Sequence, residues 1–185
     1  VNADNLATVN AKVLTQSTGG ADTVPEVQAL VNDLNFALVK IEAYNNGDGV
    51  TPVALTVQDY ANAGISGVTA DNLAAVNANV LAQATGGADT IPEVQALVTA
   101  ANSAIAKIEA YNNGNGTSPA ALTTQDYANA GVTGVTSANL AAINAKVLAQ
   151  NTGGADTTAE VQALVNNVSD ALAKIEAYNN GNGTT

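Results

Sequence analysis

Residues 90–112 read TIPEVQALVTAANSAIAKIEAYN. Apolar side chains recur there at intervals of three and four, from Val94 to Tyr111, and this spacing predicts one long amphipathic helix. Thr90 followed by Glu93 is a capping box with a proline in the first turn, which predicts where the helix begins. The run of asparagine and glycine that follows predicts where it ends.

The whole sequence repeats with a period of 67 residues, without insertion or deletion. The capping pair of the long helix falls at the same place in every copy: Thr23 with Glu26, Thr90 with Glu93, and Thr157 with Glu160. An enzyme needs one irregular site, whereas a tandem array usually acts through its length or its valency. The repetition therefore favours a structural or binding role.

Each period contains two further predicted helices. A short one is predicted over residues 55–64, because Thr56 and Asp59 have N-cap spacing and Gly64 can end the helix. A second is predicted to open at Thr69, with an apolar face formed by Leu73, Val76, Val80 and Leu81. No segment has the period-two alternation of a strand. The sequence predicts an all-α fold, a tandem array of small three-helix bundles with a 67-residue period.

The longest polar, glycine-rich stretches predict the boundaries between units. They divide the chain into a partial repeat with the second and third helices only (1–50) and two full three-helix repeats (51–117 and 118–185). A second phase, which groups the short helix with the preceding pair as 1–67, 68–134 and 135–185, is left open by the sequence. The chain begins within a repeat, so we expect it to be a piece of a longer protein.

The composition limits both the core and the chemistry. Apolar residues make up 46% of the chain, but there is one Phe, no Trp and five Tyr, so we expect the tyrosines to supply the bulk of a thin core. Tyr111 and Tyr127 are expected to pack against each other across a boundary. The net charge of −11 disfavours nucleic acid as a partner, and it disfavours direct insertion into a membrane. Without His, Cys or Arg, we expect no enzymatic activity and no cofactor.

Calcium is the one metal that the sequence suggests. Glu42, Asn46 and Asp48 place oxygen ligands at the end of the first long helix. Asp48 becomes Asn115 and Asn182 in the later copies, so the loop loses its carboxylate. That change favours a turn that tolerates left-handed backbone over a calcium site.

Two segments carry a family resemblance: QDYANAGVTGVTSANLAAINAKV (125–147) and AEVQALVNNVSDALAKI (159–175). Together with the alternation of short and long helices, they resemble tandem three-helix repeats in large bacterial surface adhesins, in the stalk regions of RTX-type and biofilm-associated proteins. The resemblance implies an extracellular spacer at the bacterial cell surface that projects a distal binding domain. Its partners would be neighbouring repeats of the same chain, and the host-cell or matrix ligand is unknown.

Two other functions fit the sequence. One is a self-assembling extracellular filament or matrix subunit, since flat Ala-rich faces suit lateral packing and self-association. The other is a three-helix module that binds a host protein. Such a module needs an exposed apolar or aromatic patch, and the helical pattern predicts none.

Overall fold

The computed structural model describes residues 1–47, 53–114 and 120–181. Every regular element in these ranges is an α-helix, which confirms the all-α prediction for the described residues. The helices are α1 (Leu6–Leu14), α2 (Val24–Asn46), α3 (Val57–Asn62), α4 (Leu73–Leu81), α5 (Ile91–Asn112), α6 (Thr124–Asn129), α7 (Leu140–Leu148) and α8 (Thr158–Asn179). The predicted boundaries after residues 50 and 117 lie outside the described residues.

Short side-chain motifs set the helix starts. The amide and hydroxyl of Thr90 donate to the Glu93 carboxylate at 3.0 and 2.8 Å, and these bonds hold the pKa of Glu93 below its ordinary value. Capping boxes likewise begin α2 at Thr23 with Glu26 and α8 at Thr157 with Glu160. The short helices α3 and α6 begin at Thr56 and Thr123 in the same way. Each box satisfies backbone donors that a helix start leaves free.

The second helix of the period starts later than the sequence predicts. α4 begins at Leu73, because Thr69 N donates to Asn72 Oδ1 at 2.7 Å and Leu73 N donates to Thr69 O at 3.0 Å. The Asn side chain thus holds residues 69–72 in a turn, in competition with the helix. The predicted apolar face is also one residue too wide, since Leu81 at the end of α4 is exposed.

The chain forms two compact units, unit 1 (Val1–Thr99) and unit 2 (Ala100–Thr185). In unit 1, α2 packs against α1, α3 and α4, so it contacts helices on both sides of the boundary predicted after residue 50. In unit 2, α7 packs against α8. None of the described helices has both the length and the hydropathy that crossing a membrane requires.

Tyrosine and branched aliphatic side chains form both cores. The core of unit 2 combines Tyr111 and Tyr127 in one buried cluster that also contains Ile108, Leu122, Ile143, Val147, Val161 and Val165. Unit 1 buries the counterparts Ile41, Tyr44, Leu55, Tyr60, Val76, Val80, Val94 and Val98. The expectation of buried tyrosines holds for four of them and is wrong for Tyr178, which is 76% exposed.

Candidate functional site

The C-terminal ends of the long helices α2 and α5 make hydrogen bonds to distant parts of the chain. Each long helix closes with Tyr-Asn-Asn, which we call the YNN segment: Tyr44–Asn46, Tyr111–Asn113 and Tyr178–Asn180. After the first of these, Gly47 takes the left-handed conformation that commonly ends a helix. The first two YNN segments also bind residues about 35 positions further along the chain.

The first Asn of the YNN segment caps another helix. Asn45 Nδ2 donates to Val80 O at 2.8 Å and to Gln83 O at 3.1 Å, at the C-terminal end of α4. Val80 O is one of the last carbonyls of α4 and also accepts the Gln83 amide at 3.2 Å, and Gln83 O lies just beyond the end of the helix. In unit 2, the same bonds run from Asn112 Nδ2 to Val147 O (2.9 Å) and Gln150 O (3.2 Å). The side-chain amide of each Asn donates two hydrogen bonds to carbonyls at the end of the second helix. Its own oxygen is buried without a partner among the described residues.

The second Asn holds the loop that follows the capped helix. Asn46 Oδ1 accepts a hydrogen bond from Gly86 N at 3.3 Å, and Asn113 Oδ1 accepts one from Gly153 N at 3.4 Å. Both glycines have φ of 84°, in the left-handed region that favours glycine. One asparagine therefore donates to the end of the second helix while its neighbour accepts from the loop beyond it.

A buried tyrosine joins the short helix to the second helix. Tyr60 is fully buried, and its hydroxyl donates to Asn77 Oδ1 at 2.7 Å. Asn77 Nδ2 in turn donates to Leu55 O at 2.9 Å. Unit 2 repeats the chain of bonds through Tyr127, Asn144 and Leu122. Burial raises the pKa of Tyr60 and of Tyr127, so both hydroxyls stay protonated and able to donate.

An ion pair joins the long helix to the start of the short helix. Lys40 Nζ lies 2.6 Å from Asp59 Oδ1, and Lys107 Nζ lies 2.7 Å from Asp126 Oδ1. Burial opposes the charged carboxylate of Asp126, but hydrogen bonds from Lys107 and the Thr123 amide outweigh it and lower its pKa. The same Asp thus completes the N-cap of the short helix and anchors that helix to its neighbour.

Together these groups form a face that binds helices. In unit 2, the C-terminal half of α5 presents Ile108 and Tyr111 to the core, Lys107 at the edge and Asn112 at the end. Apolar burial supplies most of the attraction, and the directional bonds fix the register. This arrangement suits recognition of a helical segment.

The structure does not bring the three candidate calcium ligands together as one site in the described residues. Asn46 Oδ1 already accepts the Gly86 amide, Glu42 is half-buried on α2, and Asp48 lies outside the described residues. Within the ranges that the structure describes, no three acidic side chains gather closely enough to hold a metal ion. The preference for a turn over a calcium site at this position stays a prediction.

One exposed apolar pair departs from the sequence analysis. Phe36 is 76% exposed on α2, and Val39, one turn later, is 57% exposed. The counterparts in the second copy are Ser103 and Ala106, so the patch belongs to the first copy. The expectation that the chain carries no exposed aromatic patch is therefore wrong at α2.

Comparisons of the chain with protein-family models, with curated proteins and with solved structures find no match. The contacts described above therefore have to carry the functional interpretation by themselves.

Proposed function

We propose that this chain is a structural spacer segment of a bacterial extracellular surface protein, in which tandem three-helix packets with a 67-residue period hold a distal binding domain away from the cell. One observation carries the proposal: the contacts that join a long helix to the following segment recur at the same spacing in both units. These are Lys40–Asp59 with Lys107–Asp126, Asn45–Val80 with Asn112–Val147, and Tyr60–Asn77 with Tyr127–Asn144.

The recurring contacts suit a segment whose function is to span distance. A spacer gains length in proportion to its copies when each copy is fixed to the next by more than the covalent chain. Here every such joint combines a buried Tyr, an amide that donates twice and an ion pair. The joint therefore resists bending, which a glycine-rich linker alone does not.

The charge supports the same role. The net charge of −11 keeps a long repetitive chain soluble and separates neighbouring chains. The helix lengths also recur, with 6, 9 and 22 residues in α3 to α5 and again in α6 to α8. Near-identical packets of this kind add length without adding a new surface chemistry at each step.

Small-angle X-ray scattering tests the spacer. Chains lengthened by one, two and three further copies of residues 119–185 should gain a constant increment of maximum dimension per copy. A matched series carrying Asn112→Ala and its counterpart in every added copy should gain less per copy and show greater flexibility. A maximum dimension that stops growing with copy number would exclude the spacer. Surface proteolysis and antibody labelling of intact source cells test the extracellular location.

Calcium should have little effect on this array. Asn46 Oδ1 is already hydrogen-bonded, and Asn115 and Asn182 stand where the first copy has Asp48. We expect the scattering profile to be the same in calcium and in chelator. A change in maximum dimension on chelation would show instead that calcium orders the linkers.

Binding of a host protein is a second candidate, favoured by the exposed Phe36 and Val39 on α2. Exposed aromatic side chains are common anchors of protein interfaces. Pull-down from host serum with the chain and with Phe36→Ser tests this candidate, since Ser is the residue at the equivalent position of the second copy. Capture that the substitution abolishes supports a binding module, and equal capture by both chains removes Phe36 from consideration.

A further inference from the structure

The C-terminal end of α8 repeats the sequence of the C-terminal end of α5 almost unchanged. Residues 171–180 read ALAKIEAYNN, and residues 104–113 read AIAKIEAYNN. Their surroundings are opposite. Ile108 and Tyr111 are 1% and 7% exposed, whereas Ile175 and Tyr178 are 66% and 76% exposed. The C-terminal half of α8 therefore displays a face whose counterparts are covered.

The structure shows what covers that face elsewhere. In unit 2, Ile108 and Tyr111 share a buried cluster with Leu122 and Tyr127, around the short helix, and with Ile143 and Val147 of α7. In unit 1, α2 packs against α3 and α4, which are the equivalent helices. The same kind of segment, a short helix followed by a second helix, covers the face in both units.

We propose that the face of α8 formed by Leu172, Ile175, Tyr178 and Asn179 is a docking site for a short-helix and second-helix segment of the type of residues 120–150, supplied by a further repeat in the same polypeptide. This inference rests on the proposed array and identifies how the array takes on another copy. Lys174 lies at the edge of the face, where Lys107 pairs with Asp126 in the preceding copy.

The directional groups specify this occupant. Asn179 occupies the position of Asn112, which donates to two carbonyls at the end of α7. Lys174 needs an Asp that caps a short helix, as Asp126 does. An incoming repeat supplies both partners in one segment, together with the tyrosine that packs beside Tyr178.

A second molecule of this chain supplies only part of that set. Its short helices α3 and α6 already lie in the segments that cover α2 and α5. Its α1 offers only Val9 and Val13, at the positions of Val76 and Val80. Two chains with a net charge of −11 each also repel one another.

Hydrogen exchange on an extended chain tests the docking site. Residues 119–185 are appended directly after Thr185, which preserves the period. We expect amide protection across residues 172–179 to rise at least about tenfold above that in the original chain. The matched control appends the same residues with Leu122→Ser and Tyr127→Ser in the added copy, and its α8 should exchange as in the original chain.

A substitution on α8 itself is a second control, because the serine substitutions could prevent the added copy from folding. In the original chain, Ile175→Asp should leave the melting curve and the exchange pattern unchanged, because the side chain is exposed. In the extended chain, the same substitution should remove the gain in protection while the added copy keeps its helical circular dichroism. A gain that survives Ile175→Asp would overturn the proposal.

Two further results would also overturn it. An extended, folded chain with no gain in α8 protection shows that the face binds no following repeat. Self-association of the original chain in analytical ultracentrifugation, with α8 protected, assigns the face to a second molecule instead. Scattering separates this outcome from the spacer: growth in length without protection rejects docking alone, and protection without growth rejects the spacer alone.

Discussion

The ends of α5 and α8 have the same sequence at every position but one between residues 104–113 and 171–180, yet one is buried and the other is exposed. Both are helical, so the helix forms whether or not the face at its C-terminal end is covered. Burial depends on whether a segment from further along the chain lies on the face. The comparison separates two contributions that are usually mixed, the propensity of a helix and the packing of its surface.

Truncating the isoleucine should give the largest difference between the two ends. Ile108→Ala removes a side chain that is 1% exposed, and we expect it to lower the free energy of unfolding by about 2–5 kcal/mol. Ile175→Ala, 67 residues later, should change it by less than about 0.5 kcal/mol. Urea denaturation followed by circular dichroism measures both. Equal losses would mean that α8 is covered in solution.

Removing the capping amide should have the next largest effect. Asn112→Ala removes the side-chain donor to Gln150 O and one of two donors to Val147 O, which also accepts the Gln150 amide, and we expect it to cost about 2 kcal/mol. Asn179→Ala should be close to neutral, since that side chain is exposed. Hydrogen exchange in α7 provides a local readout, with faster exchange at its C-terminal end in Asn112→Ala alone. Unchanged exchange there would exclude the capping role.

The buried hydroxyl should show a smaller effect that also depends on pH. Tyr127→Phe leaves Asn144 Oδ1 without its donor and should cost about 1–2 kcal/mol, whereas Tyr178→Phe should cost nothing measurable. Burial raises the pKa of Tyr127 above the value of about 10 in an unfolded chain. Its contribution to stability is then fully present below about pH 10 and is lost as the pH rises towards the folded pKa.

Denaturation between pH 9 and 11 checks the sign of this effect. The original chain should lose stability over that range. A chain carrying both Tyr60→Phe and Tyr127→Phe should lose less, because it has fewer buried hydroxyls whose ionisation the native state resists. A steeper loss in the double variant would contradict the assignment.

The lysine pair should distinguish the two ends least. Lys107 pairs with Asp126 while partly exposed to solvent, so Lys107→Ala should cost at most about 1 kcal/mol. Lys174→Ala provides the control at the equivalent position of α8. The loss in Lys107→Ala should shrink in high salt, because salt screens exposed ion pairs. A loss that is independent of salt would point to packing of the lysine stem instead.

Local signals in the sequence located the helices well. Thr90 and Glu93 placed the start of α5, and Thr56 and Asp59 placed the start of α3, because capping depends on residues three positions apart. The helix start predicted at Thr69 was wrong, because the Asn72 side chain closes a turn before the helix begins. Both outcomes follow from interactions within a few residues, which a sequence displays directly.

The partners of the YNN segment were harder to predict, since they lie about 35 residues away. The sequence favoured a turn at this segment, with the Asn46 oxygen as a candidate calcium ligand. One signal could have corrected this interpretation. Asn45 follows Ile41 by four residues, so helical spacing places its amide on the buried stripe, where a polar group needs a partner. The identity of that partner still required the fold.

The capping of α4 by Asn45 and of α7 by Asn112 has a consequence for how the chain acquires its structure. Each long helix precedes in the chain the segment whose end it caps, so it emerges from the ribosome first. These contacts span 35 residues, which is less than one period, so each can form before the following copies are made. In the proposed array, copies can therefore form these contacts in order from the N-terminal end, and an added copy leaves the earlier contacts unchanged.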